Sequence, residues 1–369
     1  MKNIPSAFLQ RLDPLLQEAL AGNVFSGAAV GLCLPGAGEK RFSSVWGKSS
    51  LLPGSPQITK HTLFDLASLT KPLATTLALL CLEQEGKIVL DESLPSLLEK
   101  EDACAGKQDI TLRHLLNHCS GFAAHRPYFK ELIHIDPQQR KNWLLDAVLR
   151  EKLAYQPGTK SVYSDLGFIL LGLIVEKKSG FALDSYVQQV VMEPVGLGGT
   201  IIFNPLEKKK NDFAATERCP WRNRVLRGEV HDDNTFAVGG VSGQAGLFGD
   251  VDGVLALVSL LLGVLTKKQH HPSFSADRLR HFCHRQDMAP GSSWALGFDT
   301  PSPEGSSAGS FISANSVGHL GFTGTSFWID IDREVAVVLL TNRVHPTREN
   351  NLIKQFRPRF HDTLFAALS

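Results

Sequence analysis

The chain has 369 residues, 38 lysines and arginines against 37 aspartates and glutamates, and 43% hydrophobic residues. That length suits one catalytic unit of two interlocked subdomains, and the composition is that of an ordinary globular protein. A net charge of +1 without a basic stripe argues against a nucleic-acid binder. The lysines at Lys208 to Lys210 sit beside Asn211 and Asp212 and read as a solvated loop. The first residues lack the uninterrupted apolar core of an export signal, and the six cysteines (Cys33, Cys81, Cys104, Cys119, Cys219, Cys283) are scattered without paired spacing. A cytoplasmic address without membrane association follows as an expectation.

Residues 4–20 carry apolar positions at helical spacing and predict a leading amphipathic helix. Strand-like runs at 28–34 and 41–45 follow, with the turn between them starting at Pro35-Gly36. The middle of the chain, 80–235, reads as mostly helical, with loops at Gly106, Gly121, Pro157-Gly158 and Gly180. The apolar stretch 254–265 is too short to span a bilayer and predicts a buried helix. Residues 300–313, rich in Pro, Ser and Gly, predict a surface loop. Strands at 325–330 and 335–342, joined across Asp332-Arg333, and a closing helix at 350–368 complete the chain. Strands at both ends with helices between predict an α/β (α+β) fold, its antiparallel sheet built from both termini. Residues 1–79 and 236–369 would form the α/β subdomain and 80–235 the mostly helical one.

Three clusters carry chemistry. The first is Ser68-Leu69-Thr70-Lys71. Pro72 is tolerated in the first turn of a helix, so the apolar run at 73–82 predicts a helix beginning near Ser68. The free N–H groups and positive dipole end of such a start suit a developing oxyanion, and Lys71 lies one turn on, on the serine's face. A partly desolvated lysine can lose its proton and activate the hydroxyl. The same residues also fit a capping serine followed by a surface charge.

The second cluster, Tyr163-Ser164-Asp165, presents a phenol at the entrance of an apolar helix, where a nearby ammonium favours ionisation. Asp165 equally fits that helix's cap. The third, His319-Leu320-Gly321-Phe322-Thr323-Gly324-Thr325, leads into a strand. Glycines at a strand edge let a substrate backbone approach closely, and the Phe322 N–H suits a second oxyanion donor.

Together and in this order the clusters resemble the serine β-lactamase and penicillin-binding-protein superfamily. The likeness is to its class C-like branch, which includes DD-peptidases and family VIII carboxylesterases. Phe64-Asp65-Leu66-Ala67 leads into the serine as that family does, and residues 110–121, 243–249 and 339–342 resemble its further segments. Three departures stand out. Asp165 replaces the usual Asn, Leu320 the usual Thr, and His319 the Lys of the lactamases. In the family that Lys and Thr help bind the carboxylate of β-lactams and D-Ala peptides, so the resemblance implies a weaker hold on anionic substrates here. Asp165 adds a charge that repels an anion and keeps Lys71 protonated. Arg343 is the residue able to restore carboxylate binding.

The expectation is a serine hydrolase acting through an acyl-enzyme on a small neutral ester or amide, with slight β-lactamase activity. Ser68 attacks, Lys71 or Tyr163 takes its proton, and the Ser68 and Phe322 amides hold the oxyanion. His319 assists Tyr163, and Asp165, Leu320, Gly321 and Arg343 contact substrate. No cofactor or metal is expected, and the sequence leaves the oligomeric state open. A peptidase acting on D-amino-acid cell-wall peptides or β-lactams is the enzymatic alternative. A non-catalytic binding protein of the same fold is the other.

Remaining signals carry less. Gly305-Ser306-Ser307-Ala308-Gly309 matches a nucleophile elbow but lacks the strand and helix that motif needs. His114 and His118 are spaced as helical metal ligands, and His281 and His284 lie near His270-His271, but no further ligand completes either set. His231-Asp232-Asp233-Asn234, preceded by Arg224, Arg227 and Glu229, is a dense polar run that fits either a cleft lining or a solvated loop tied by ion pairs, its polar density and the nearby Gly239-Gly240 favouring the cleft.

Overall fold

Val335, Val337 and Leu339 alternate with Ala336, Val338 and Leu340 along one strand, and all six are buried. A strand buried on both faces belongs in the middle of a sheet covered on both sides. The structure, a computed structural model describing residues 4–35, 40–205 and 213–368, has that arrangement. Its strands are β1 (Gly27–Leu34), β2 (Lys40–Gly47), β3 (Phe64–Asp65), β4 (Ile201–Phe203), β5 (Arg218–Cys219), β6 (Arg224–Val225), β7 (Leu247–Gly249), β8 (Ser316–Leu320), β9 (Ser326–Asp330) and β10 (Val335–Thr341).

Five strands form one antiparallel sheet in the order β2-β1-β10-β9-β8. β1 and β10 pair with Val30 opposite Leu339, so both ends of the chain meet at its centre, as the sequence predicts. The face formed by Ala28, Val30, Leu32, Val335, Val337 and Leu339 packs on the terminal helices Ser6–Ala21 and Ile353–Phe365. The opposite face packs on the helix Val251–Leu265, where a Cβ at Gly31 would sit 3.1 Å from that of Leu255. A smaller sheet, β3-β7-β4, and the hairpin β5-β6 interrupt the helical remainder. Residues 300–313 hold no regular element. Among the described residues no helix is long and apolar enough to cross a membrane. The lysines at Lys208 to Lys210 and the turn at Gly36 lie outside the described residues.

Two local expectations need correction. The helix starting near Ser68 is not a plain α-helix: a 3-10 turn at Ala67–Leu69 passes into a π-helical stretch, Lys71–Thr76, and only then into the α-helix Leu77–Gln84. Pro72 has no N–H for the i→i−4 ladder, and the wider turn forms around it. Asp165 does not cap the helix Asp165–Ser179. Ser164 does, its Oγ accepting the Gly167 N–H at 3.2 Å, which leaves the Asp165 carboxylate to reach elsewhere.

Asn342, just past β10, ties the sheet together from its interior. Its Oδ1 accepts the N–H groups of Ser26 and Gly27, and its Nδ2 donates to Ser26 Oγ and to the Ser49 and Ala215 carbonyls. Asn342→Ala leaves several buried polar groups unpaired, each costing about 1–3 kcal/mol. The expected loss is about 3 kcal/mol or more, seen as a lower urea midpoint at unchanged slope; a loss below about 1 kcal/mol would contradict this role.

Candidate active site

The backbone before Ser68 is strained. Ala67 has a left-handed φ of 46°, unfavourable for a residue with a Cβ. Asp65 holds it, its Oδ1 accepting the Ala67 N–H at 2.8 Å and its Oδ2 the His231 N–H at 2.6 Å. Burial pushes the Asp65 carboxyl up against the pull of these donors. Thr323 Oγ1 donates to the Asp65 carbonyl at 2.7 Å, and Thr325 Oγ1 to the Leu66 carbonyl at 3.1 Å. The end of β8 is thereby latched to the segment carrying Ser68, which brings the Phe322 turn beside the start of the helix. Glycine is required at residue 321, where a Cβ would fall 2.7 Å from the Leu66 carbonyl oxygen.

Lys71 is completely buried. Its Nζ donates to Asp165 Oδ1 at 2.7 Å, to Ser68 Oγ at 3.0 Å and to the Gln244 carbonyl at 3.2 Å. An ammonium has three protons, and these are three acceptors. Burial works against the charge, yet Asp165 and then Tyr163 hold Lys71 above its ordinary value. Burial likewise opposes charge on Asp165, but Lys71 and His125 hold it well below the usual carboxylate range. The centroid of the Tyr163 ring lies 4.7 Å from Lys71 Nζ. Burial raises the phenol, with the Lys71 charge pulling the other way. Hydroxyl, amine and phenol thus converge from two distant stretches of chain.

His319 is buried beside them, its ring centroid 6.0 Å from that of Tyr163 and 5.5 Å from that of Trp294. Its Nδ1 donates to the Leu320 carbonyl at 2.8 Å, which in the neutral ring leaves Nε2 as an acceptor. Burial and the Lys71 charge push His319 down to about 3, so it stays neutral. Leu320 is half-buried at the end of β8. Arg343, expected against substrate, instead donates to the carbonyls of Phe322, Arg348 and Asn350 and lies 4.3 Å from the Phe322 ring. It holds the turn that carries the Phe322 amide.

The polar run beginning at His231 does reach this cleft. The His231 ring stacks on the half-exposed Phe322 at 5.7 Å. Sequence reasoning missed His125, whose Nδ1 stands 3.5 Å from Asp165 Oδ2 and whose pKa Asp165 raises. It also missed Trp294, stacked on Tyr163 at 5.5 Å. Both come from loops with no local pattern. Gln244 and Asp65 had a signal, since each sits inside a run marked for its likeness to the family. Among the described residues no three His, Cys, Asp or Glu side chains are grouped to hold a metal ion.

A serine oxygen held by an ammonium, with a phenol in reach and backbone amides of two latched segments alongside, is suited to attack on a carbonyl. The comparisons agree in kind. The profile of the Beta-lactamase family matches residues 12–357. A putative D-alanyl-D-alanine carboxypeptidase of Escherichia coli O157:H7 is 35% identical over 335 residues, 82% of this chain and 76% of that one. An N-acetylmuramyl-L-alanine amidase of Bacillus subtilis (strain 168) is 33% identical over 367 residues, 91% of this chain and 81% of that one. The solved structure of EstCE1, a hydrolase with promiscuous acyltransferase activity, superposes with a TM-score of 0.73 at 19% identity, over 97% of this chain and 98% of that one. The chain belongs to the Beta-lactamase family, and its fold is that of the β-lactamases and DD-peptidases.

The charge on Asp165 yields a prediction with a definite sign. Asp165 raises the pKa of Lys71, and a charged amine can accept a proton from a neighbouring hydroxyl only after releasing one of its own. Asp165→Asn lowers that pKa, so Ser68 becomes reactive at lower pH. The pH of half-maximal Ser68 labelling by a fluorophosphonate should move down. No movement, or movement upward, would show that Asp165 does not set the charge.

Proposed function

We propose that this member of the Beta-lactamase family is a serine hydrolase working through an acyl-enzyme on small neutral esters or amides. One observation carries the reading: the buried amine of Lys71 touches the hydroxyl of Ser68, with the Asp165 carboxylate fixing its charge. In the form of the Lys71–Tyr163 pair that has lost one proton, Ser68 Oγ attacks the carbonyl carbon and passes its own proton to the pair, which titrates as a unit. The Ser68 and Phe322 amides hold the oxyanion. Tyr163 then delivers a proton to the leaving alcohol or amine, leaving the acyl group on Ser68 Oγ. Water gives a proton to the same pair and attacks the acyl carbon, and the pair returns that proton to Ser68 Oγ as the C–Oγ bond breaks and the acid leaves. His319 supports Tyr163 from β8, its Nε2 able to accept from the phenol.

Charge favours neutral substrates. Asp165 sets a carboxylate beside the nucleophile, and Arg343, Arg348 and Arg357 are each engaged by protein oxygens. A carboxylate next to the scissile carbonyl finds Lys71 already paired with Asp165 and the donors of these guanidinium groups already engaged. The names of the two curated relatives support a second reading, cleavage of a cell-wall amide. An amide of that kind with an uncharged acyl side satisfies both.

Turnover of a short-chain nitrophenyl ester, a chromogenic cephalosporin and a D-alanyl-D-alanine peptide discriminates these readings. The ester is expected to exceed the cephalosporin by about 100-fold or more in kcat/KM. Ser68→Ala should cost about 10⁴-fold or more. Faster cephalosporin hydrolysis would refute the preference for neutral substrates. Undiminished ester turnover in Ser68→Ala would refute the mechanism.

A further inference from the structure

His118 follows the short helix Leu112–Leu116 and has a left-handed φ of 56°. The helix ends before it, so its i, i+4 spacing with His114 has no helical meaning. Its contacts point to Tyr163 instead. The His118 carbonyl accepts the Val162 N–H at 2.9 Å, and its ring Nδ1 accepts the Ser164 N–H at 3.1 Å. One residue therefore closes the backbone on both sides of the phenol-bearing residue. The imidazole also packs against the phenol ring itself, centroids 4.7 Å apart, with Trp294 and Phe168 against it at 4.5 and 5.1 Å. Ser164 is committed as well, since its Oγ donates to the Ala123 carbonyl and caps the helix that follows.

A backbone N–H can only donate, so His118 Nδ1 carries a lone pair and the ring's single proton sits on Nε2. His118 is 1% exposed. We infer that His118 is a positioning residue for the reaction: in its Nδ1-acceptor tautomer it aims the Tyr163 hydroxyl at Ser68 and Lys71. It acts through the backbone and ring of Tyr163 rather than on any reacting atom. The charged and titratable groups facing it are Lys71, His319 and Asp165, beside Tyr163 itself, and Tyr155, whose hydroxyl donates to the His118 carbonyl at 3.4 Å. Burial and the Lys71 charge hold the ring neutral, well below its ordinary value. Protonation of Nδ1 would turn the acceptor into a donor and open the clip.

This inference rests on the proton-carrying role proposed for Tyr163, and the experiment separates the two. Imidazole nitrogen NMR on the whole protein should find His118 with bare Nδ1 and protonated Nε2, unchanged from about pH 5 to about pH 9. The opposite tautomer would overturn the inference without any variant. His118→Asn keeps a side-chain acceptor and tolerates the left-handed backbone, whereas His118→Leu keeps the bulk alone. With the neutral ester, His118→Leu should lower kcat about 100-fold with KM changed less than about threefold, and His118→Asn should stay within about tenfold of the parent. Equal impairment of both, or an unimpaired His118→Leu, would overturn it; if the leucine variant does not fold, the asparagine variant and the tautomer decide. Full activity in Tyr163→Phe would instead defeat the role of the phenol, whatever the histidine does.

Discussion

A lysine with no exposed surface keeps its charge only where a partner compensates for lost water, and at Lys71 that partner is Asp165 at 2.7 Å. The pair joins the helix that leaves β3 to the helix that starts at residue 165. Because Tyr163 and Asp165 flank the capping Ser164, one helix start delivers both the carboxylate and the phenol to the lysine. Ser68 is reached from the lysine's own side, three residues earlier in the same irregular helix. The site is therefore assembled by one long-range ion pair and two local spacings.

Strain and latching supply the rest. Ala67 would relax out of its left-handed conformation without Asp65, and Asp65 is itself fixed by the His231 amide and the Thr323 hydroxyl. The Phe322 turn is thus positioned by the same groups that position Ser68. Arg343 and Arg357 complete that support by binding backbone carbonyls of the turn and of its neighbours. Guanidinium groups used in this way shape a cleft with their donors already engaged, and the Asp165 carboxylate is itself paired with Lys71. The neutral-substrate reading follows from that balance.

Much of this was legible in the sequence. Strand-like apolar runs at both ends of the chain marked strands of the sheet, and Ser68, Lys71 and Tyr163 were marked by spacing and by the helix starts they occupy. What stayed hidden has a common cause. The π-helical stretch after Ser68 depends on how Pro72 is accommodated in three dimensions, and no pattern of residues encodes that. Asp165 and Ser164 are both good caps, and only the reach of Lys71 decides between them. Arg343 reads as a free cation until the carbonyls of Phe322, Arg348 and Asn350 are seen around it. His125 and Trp294 arrive from loops, where position is set by tertiary contacts rather than by periodicity.

The most direct test of the central claim is intact-mass spectrometry after brief exposure to a neutral activated ester, with peptide mapping of the modified chain. One acyl group per chain, attached at Ser68 and shed as the ester is exhausted, is the predicted result. No adduct under turnover, or an acyl group mapped to another residue such as Ser306, would contradict the account.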